Sequence, residues 1–312
     1  MKPSTRRQRP DCGEKKNTSR GRWLGLVTGS VCGTLATTIR LALVLPVQAK
    51  IESWSRSETG DYVARMETPR RLTFGAHAEE YDLARPEWPV EVARWFVPED
   101  AAFVVELGAG TGKLTRAVSS LGVRVVAVEP DPRMRVVLQR TGLEGVNGSA
   151  EEIPIGDGEA DAVIAGSCVH WFDLERALPE IHRVLRHGGC FGFGWNGRDA
   201  RHPTIARMTD AIHAAASGRN PWRDRDWPGE LTATGLFDDV EQAAIFEHVH
   251  EIPREALDAH LWSYATIASL PDRQREQVFA DVAAILDSDP EVSDGERLLL
   301  PFAVPAFRAT RV

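Results

Sequence analysis

The stretch Glu106-Leu107-Gly108-Ala109-Gly110-Thr111-Gly112 joins an apolar, β-branched run to a run with helical spacing. Glycines at a strand-to-helix turn let the backbone approach a ligand closely and leave its amides free to bind it. Here they fall as GxGxG, with an acidic residue two positions before the first. A dinucleotide fingerprint would need glycine where the chain has Lys113, and no Gly-Lys-Ser or Gly-Lys-Thr ending is present to cradle phosphates as an ATPase does. Glu129 ends the next apolar run, 21 residues after Gly108, where a carboxylate can accept both hydroxyl protons of a ribose. The competing reading of Glu129 is a solvated acid at a strand end. Two further elements follow in order: Ser149-Ala150-Glu151 with Ile153-Pro154, then Asp161-Ala162-Val163-Ile164 leading through Ser167 to His170-Trp171-Phe172.

Positioning these groups falls to strands that alternate with helices. Strands are predicted at Ala102–Leu107, Val123–Val128, Asp161–Ala165 and Cys190–Trp195, with a short run at Gly145–Ser149. Helices are predicted at Lys113–Leu121, Pro132–Arg140 and Leu174–Leu185. This alternation predicts a doubly wound α/β fold built on a parallel sheet. Ahead of it, residues 76–97 form two helical segments split by Arg85-Pro86 and Pro89. Behind it come helices at 203–216 and 255–264, a polar loop with Trp222 and Trp227, a strand at Val240–Val249, a helix from Pro271 to Leu286 and a closing strand from Phe302 to Val312.

The 312 residues carry a net charge of −8, divided between +7 in residues 1–65 and −15 in residues 66–312. An acidic body repels phosphate backbones, which excludes nucleic acid as a general partner. Four cysteines at 12, 32, 168 and 190 show no CxxC or metal-ligand spacing, so no metal is expected and free thiols in a reducing cytoplasm are. Cys168 and Cys190 fall in apolar, strand-like runs.

The head differs from the body. Trp23–Leu45 is only mildly apolar and holds Arg40, a poor spanning helix. An export signal would use Leu41–Leu45 and the small-residue site Val47-Gln48-Ala49. The preferred expectation is that residues 1–65 are disordered or an over-extended start, that Met66 is the natural one, and that the product is cytoplasmic. A membrane anchor or export signal within residues 1–50 is the alternative.

Taken in order, residues 103–195 resemble the class I S-adenosylmethionine-dependent methyltransferases, in particular the type 11 methyltransferase domain. Arg183-Val184-Leu185-Arg186-His187-Gly188-Gly189 is similar to that family's Arg-Val-Leu-Arg-Pro-Gly-Gly, with His187 in place of proline. Phe74-Gly75, Tyr81, Arg85-Pro86, His170-Trp171-Phe172, Trp195-Asn196, Asp199 and Ser263-Tyr264 further resemble the trans-aconitate methyltransferase-like branch. The resemblance implies a Rossmann-like sheet of seven strands, mostly parallel with the last antiparallel, in a domain spanning 66–312. Its cofactor half would be 100–200, and its cap and substrate elements 72–98 and 200–270.

Carried over by position, Glu106 would orient the loop or meet the methionine ammonium of S-adenosyl-L-methionine, and Gly108, Gly110 and Gly112 would line its methionine and ribose. Glu129 would hold the ribose, and Ala150 and Glu151 would flank the adenine. His170, just past the fourth strand, would be a base or a substrate orienter, the alternative being a packing or cofactor-contacting histidine. Tyr81, Arg85, Trp171, Trp195, Trp262 and Tyr264 would wall the substrate pocket, or belong to the core. The expected acceptor is a small organic molecule, foremost a carboxylate, which needs no base, and the expected state is a monomer or weak dimer. A nicotinamide-dependent oxidoreductase and a noncatalytic S-adenosylmethionine-binding protein are the rival readings.

Overall fold

β1 (Phe103–Leu107) sends Val104 to one side of the sheet and Val105 and Leu107 to the other, and all three are fully buried. Such two-sided burial is the mark of a parallel sheet covered by helices on both faces. The computed structural model describes residues 77–215, 225–243 and 245–312. Met66, Phe74-Gly75 and Trp222, and the readings of residues 1–65 and 66–76, lie outside the described residues.

Two short helices, α1 (Ala78–Ala84) and α2 (Val90–Phe96), precede β1. Then follow α3 (Lys113–Ser119), β2 (Arg124–Val128), α4 (Pro132–Arg140), β3 (Glu144–Val146), β4 (Ala160–Gly166), α5 (Leu174–Val184) and β5 (Leu185–Gly194). The rest of the chain adds β6 (Gly197–Arg198), α6 (Pro203–Ala215), α7 (Trp227–Ala233), β7 (Phe237–Gln242) and β8 (Phe246–Pro253). It ends in α8 (Leu257–Trp262), α9 (Ala265–Ala268), α10 (Asp272–Asp287), β9 (Arg297–Val304) and β10 (Ala306–Arg311). The main sheet has seven strands in the order β3-β2-β1-β4-β5-β10-β7, with β10 antiparallel to both neighbours. This is the Rossmann-like arrangement that the resemblance implied.

Two sequence motifs turn out to be scaffold. Asp161 accepts the amides of Ala102 and Phe103 at 2.8 Å each and pairs with Arg186, tying the start of β1 to β4 at the end of the sheet away from the glycine turn. Arg183 donates to the carbonyls of Ile153 and Ile155 at 2.9 Å each, which fixes the loop that follows Ser149-Ala150-Glu151.

Two expected strands are corrected. The run Val240–Val249 is divided between β7 in the main sheet and β8 in a second, three-stranded antiparallel sheet ordered β6-β9-β8. The closing strand Phe302–Val312 is likewise divided at Pro305 into β9 and β10, which belong to different sheets. Proline has no N–H to continue a ladder, and the carbonyl of Pro305 instead accepts from Trp195. Cys168 also lies beyond the end of β4 rather than within a strand. The second sheet packs with α6, α8 and α10 around a separate apolar core that includes Ile205, Leu261, Val282 and Phe302. No helix among the described residues is long and apolar enough to cross a membrane.

Candidate active site

Ligands of doubly wound sheets bind beyond the carboxyl ends of the strands, where the strand order reverses. Here that point lies between β1 and β4. Gly108 has φ of +62°, and a Cβ there would stand 2.9 Å from Cys168 Sγ, so no side chain fits. Gly110 has φ of +59° and nothing within 4 Å of an added Cβ, so its turn borders open space. Beside it, the buried Thr111 Oγ1 has no hydrogen-bond partner among the described residues.

Glu129, 7% exposed, accepts the Gly110 amide at 2.8 Å through Oε2 and the Asp131 amide at 2.9 Å through Oε1. Asp131 is placed by capping α4, accepting from Arg133 N at 2.9 Å ahead of Pro132 at the first helical position. Each Glu129 oxygen keeps a lone pair, so the carboxylate can accept two further hydroxyl protons. Glu106, 2% exposed, accepts from Thr115 Oγ1 at 2.6 Å. Burial, reinforced by the Glu129 charge, pushes the Glu106 carboxyl up to about 8.

The folded chain therefore keeps a proton on Glu106 that the unfolded chain releases above about 4.5, so stability should fall as pH rises between 4.5 and 8 and level off above. The slope attributable to this group is at most about 1.4 kcal/mol per pH unit. Urea denaturation of the ligand-free protein and of Glu106→Gln across this range should show a shallower slope in the variant. Parallel pH dependences would refute the assignment.

Ser149 and Glu152 exchange backbone hydrogen bonds at 3.3 Å, Ala150 is buried, and Glu151 Oε1 accepts the Asp173 amide at 2.9 Å. Past β4, Ser167 takes φ of +58° and its Oγ accepts the Asn196 amide at 3.1 Å, turning the chain into the segment that carries His170. His170 Nδ1 lies 3.1 Å from Trp195 Nε1. An indole N–H only donates, so Nδ1 accepts and the neutral ring carries its proton on Nε2. Burial holds this imidazole down at about 4. Trp171 stands 4.8 Å from it, centroid to centroid.

The end of α1 is tied to the second sheet and α8 by two histidines. His260 Nδ1 donates to Ala84 O at 2.8 Å and His250 Nε2 donates to the same carbonyl at 3.2 Å. With Nδ1 protonated, His260 Nε2 accepts from the Tyr264 hydroxyl at 3.2 Å. The Arg85 guanidinium lies 5.7 Å from the Tyr81 ring centre and 4.6 Å from that of Tyr264. The structure thus brings Tyr81, Arg85 and Tyr264 together, and His170 with Trp171 and Trp195. Trp262 is not part of either group and lies under the guanidinium of Arg275, 3.8 Å from its ring centre.

Sequence reading missed Thr115, Arg198, His250 and His260, and it quoted Thr111 and Ser167 within motifs without giving them a role. Among the missed residues only the histidines left a usable trace, as His248 and His250 recur with period two and so share a strand face.

The profile of the methyltransferase domain family matches residues 105–193. An uncharacterised methyltransferase of Mycobacterium tuberculosis is 35% identical over 243 residues, covering 77% of this chain and 96% of the relative. The chain belongs to the class I S-adenosylmethionine-dependent methyltransferases. A methyltransferase-like protein of Schizosaccharomyces pombe is 30% identical over 246 residues, covering 77% and 95%. A solved type II methyltransferase structure from Anaeromyxobacter dehalogenans shares the fold, with a TM-score of 0.55 at 24% identity over 73% of this chain and 97% of that one. The methyltransferase's cofactor is S-adenosylmethionine, and the turn fits it on its own geometry: open space at Gly110, an orphaned Thr111 hydroxyl, and a Glu129 carboxylate held with acceptor capacity to spare.

Proposed function

We propose that this methyltransferase methylates a small organic acceptor, with a carboxylate oxygen as the nucleophile, in keeping with the trans-aconitate-like branch it resembles. The observation that carries the choice is the His170–Trp195 hydrogen bond. It occupies the one basic nitrogen of His170, on a ring that burial already makes a weak base. A hydroxyl or carbon acid must lose a proton to become the nucleophile, and a carboxylate need not.

In this reading Glu129 binds the ribose hydroxyls, Gly108, Gly110 and Gly112 line the methionine and ribose, and Ala150 and Glu151 flank the adenine. Glu106 meets the ammonium, which draws off its proton, so cofactor affinity should rise with pH up to about 8. Bound S-adenosylmethionine would supply an electrophilic methyl on its sulfonium, which would bond to the acceptor oxygen as its bond to sulfur breaks and S-adenosylhomocysteine leaves. The chain's part is to hold the acceptor in a near-attack geometry and to exclude water. His170 orients the acceptor, while Tyr81, Arg85, Trp171, Trp195 and Tyr264 wall the pocket.

Labelled-methyl transfer across carboxylic acids, phenols and amines tests the acceptor class. With its acceptor, His170→Ala should bind more weakly and lose less than about tenfold in single-turnover rate, since general-base loss costs roughly 10²- to 10⁴-fold. A loss of that larger size at unchanged acceptor affinity would reject the carboxylate in favour of an acceptor that must be deprotonated.

A further inference from the structure

We infer that Arg198 and Arg85, set against the ring of Tyr264, form a clamp for an oxyanion, carboxylate or phosphate, on the non-reacting end of the acceptor. This deepens the proposed function and rests on the acceptor lying beneath α1. The Arg198 guanidinium is 4.5 Å from the Tyr264 ring centre and that of Arg85 is 4.6 Å from it, so two cations share one aromatic ring. Neither forms an ion pair with a carboxylate among the described residues. Arg198 Nε donates to Thr209 Oγ1 at 3.2 Å, but its Nη1 is buried with no partner there.

A guanidinium taken out of water without a counter-charge is costly, and two close together repel as well. Burial above all, and the Arg85 charge, lower the Arg198 pKa, with the Tyr264 hydroxyl opposing them in part, so the guanidinium has a phenol beside it but no carboxylate among the described residues. The polar neighbours do not supply an anion. His260 and His250 donate to Ala84 O, and the Tyr264 hydroxyl donates to His260. These bonds engage the groups around the cations, and Arg198 Nη1 is left without a hydrogen-bond partner among the described residues. The planar fork of arginine suits two-point recognition of carboxylate or phosphate.

The position suits an acceptor bound at two ends. Arg198 follows Trp195 by three residues, a span of at most about 11 Å, and Trp195 holds His170. A molecule several carbons long can therefore present its reacting oxygen near His170 and its anion to Arg198.

The test is calorimetric titration of the protein with succinate and with inorganic phosphate at fixed ionic strength, in the presence and absence of S-adenosylhomocysteine. Wild-type protein should bind at least one of the two, and whichever binds more tightly identifies the source of the oxyanion. Arg198→Met should weaken that binding roughly 10- to 100-fold, the range for hydrogen bonds to charged groups, with Arg198→Lys intermediate. S-adenosylhomocysteine affinity should stay unchanged, showing that the variant is folded. Arg85→Gln, at a position half-buried like that of Arg198, provides a second variant, expected to weaken anion binding about tenfold. No anion binding by wild type, or affinities within about twofold of wild type in both variants, would overturn the clamp. Failure of wild type to bind S-adenosylhomocysteine would count against the methyltransferase reading, while the titration without it still decides the clamp.

Discussion

Glu129→Ala should all but abolish cofactor binding. Two charge-assisted hydrogen bonds to the ribose hydroxyls are worth roughly 1.5–3 kcal/mol each, so the loss is expected to reach about 3–6 kcal/mol. The substitution also frees the Gly110 and Asp131 amides that the carboxylate holds at 2.8 and 2.9 Å, loosening the glycine turn from the start of α4. Calorimetry with S-adenosylhomocysteine gives the affinity, and circular dichroism checks that the sheet survives. An affinity within about threefold of wild type would remove Glu129 from the ribose site.

Phe193→Ala should cause the largest loss of stability, about 3–5 kcal/mol by urea denaturation. Phe193 is fully buried in β5 and stacks between Phe191 and Phe307, at 5.1 and 5.2 Å between ring centres. Trp195 and Trp227 meet its edges at 5.8 and 5.7 Å. Truncation leaves a ring-sized void bounded by β5, β10 and α7, and neighbours from separate elements cannot close it together. Because Trp195 donates to His170, the same change should loosen the imidazole as well as the core. A cost below about 1 kcal/mol would show that this aromatic cluster does not hold the two strands together.

The glycine turn and Glu129 beside it were readable because they are set by short stretches of chain. Gly108 to Gly112 is one strand-to-helix turn, and Glu129 reaches that turn because β2 lies beside β1 with Leu107 opposite Val128. Pairing of neighbouring strands in a parallel sheet brings their ends to one edge, so strand ends alone placed Glu106, Glu129 and His170 on the same side. The Glu106–Thr115 hydrogen bond was not readable. It joins a strand end to the first turn of a helix, and nothing in the type of either residue announces the partner.

By itself the sequence determined the methyltransferase class, the doubly wound sheet, and the glycine turn with the carboxylates beside it. Those follow from local periodicity and from glycine and acidic positions whose meaning does not depend on distant segments. Tertiary structure alone decided that 240–249 and 302–312 each serve two sheets, since a strand's apolar pattern states which face is buried but not which neighbour it pairs with. It also decided how Arg85, Arg198 and Tyr264 come together. They come from three separate regions of the chain, and only folding makes two cations share one ring and leaves Arg198 Nη1 without a hydrogen-bond partner among the described residues. An unpaired charge is a property of the space around a residue, and that space is assembled by long-range packing.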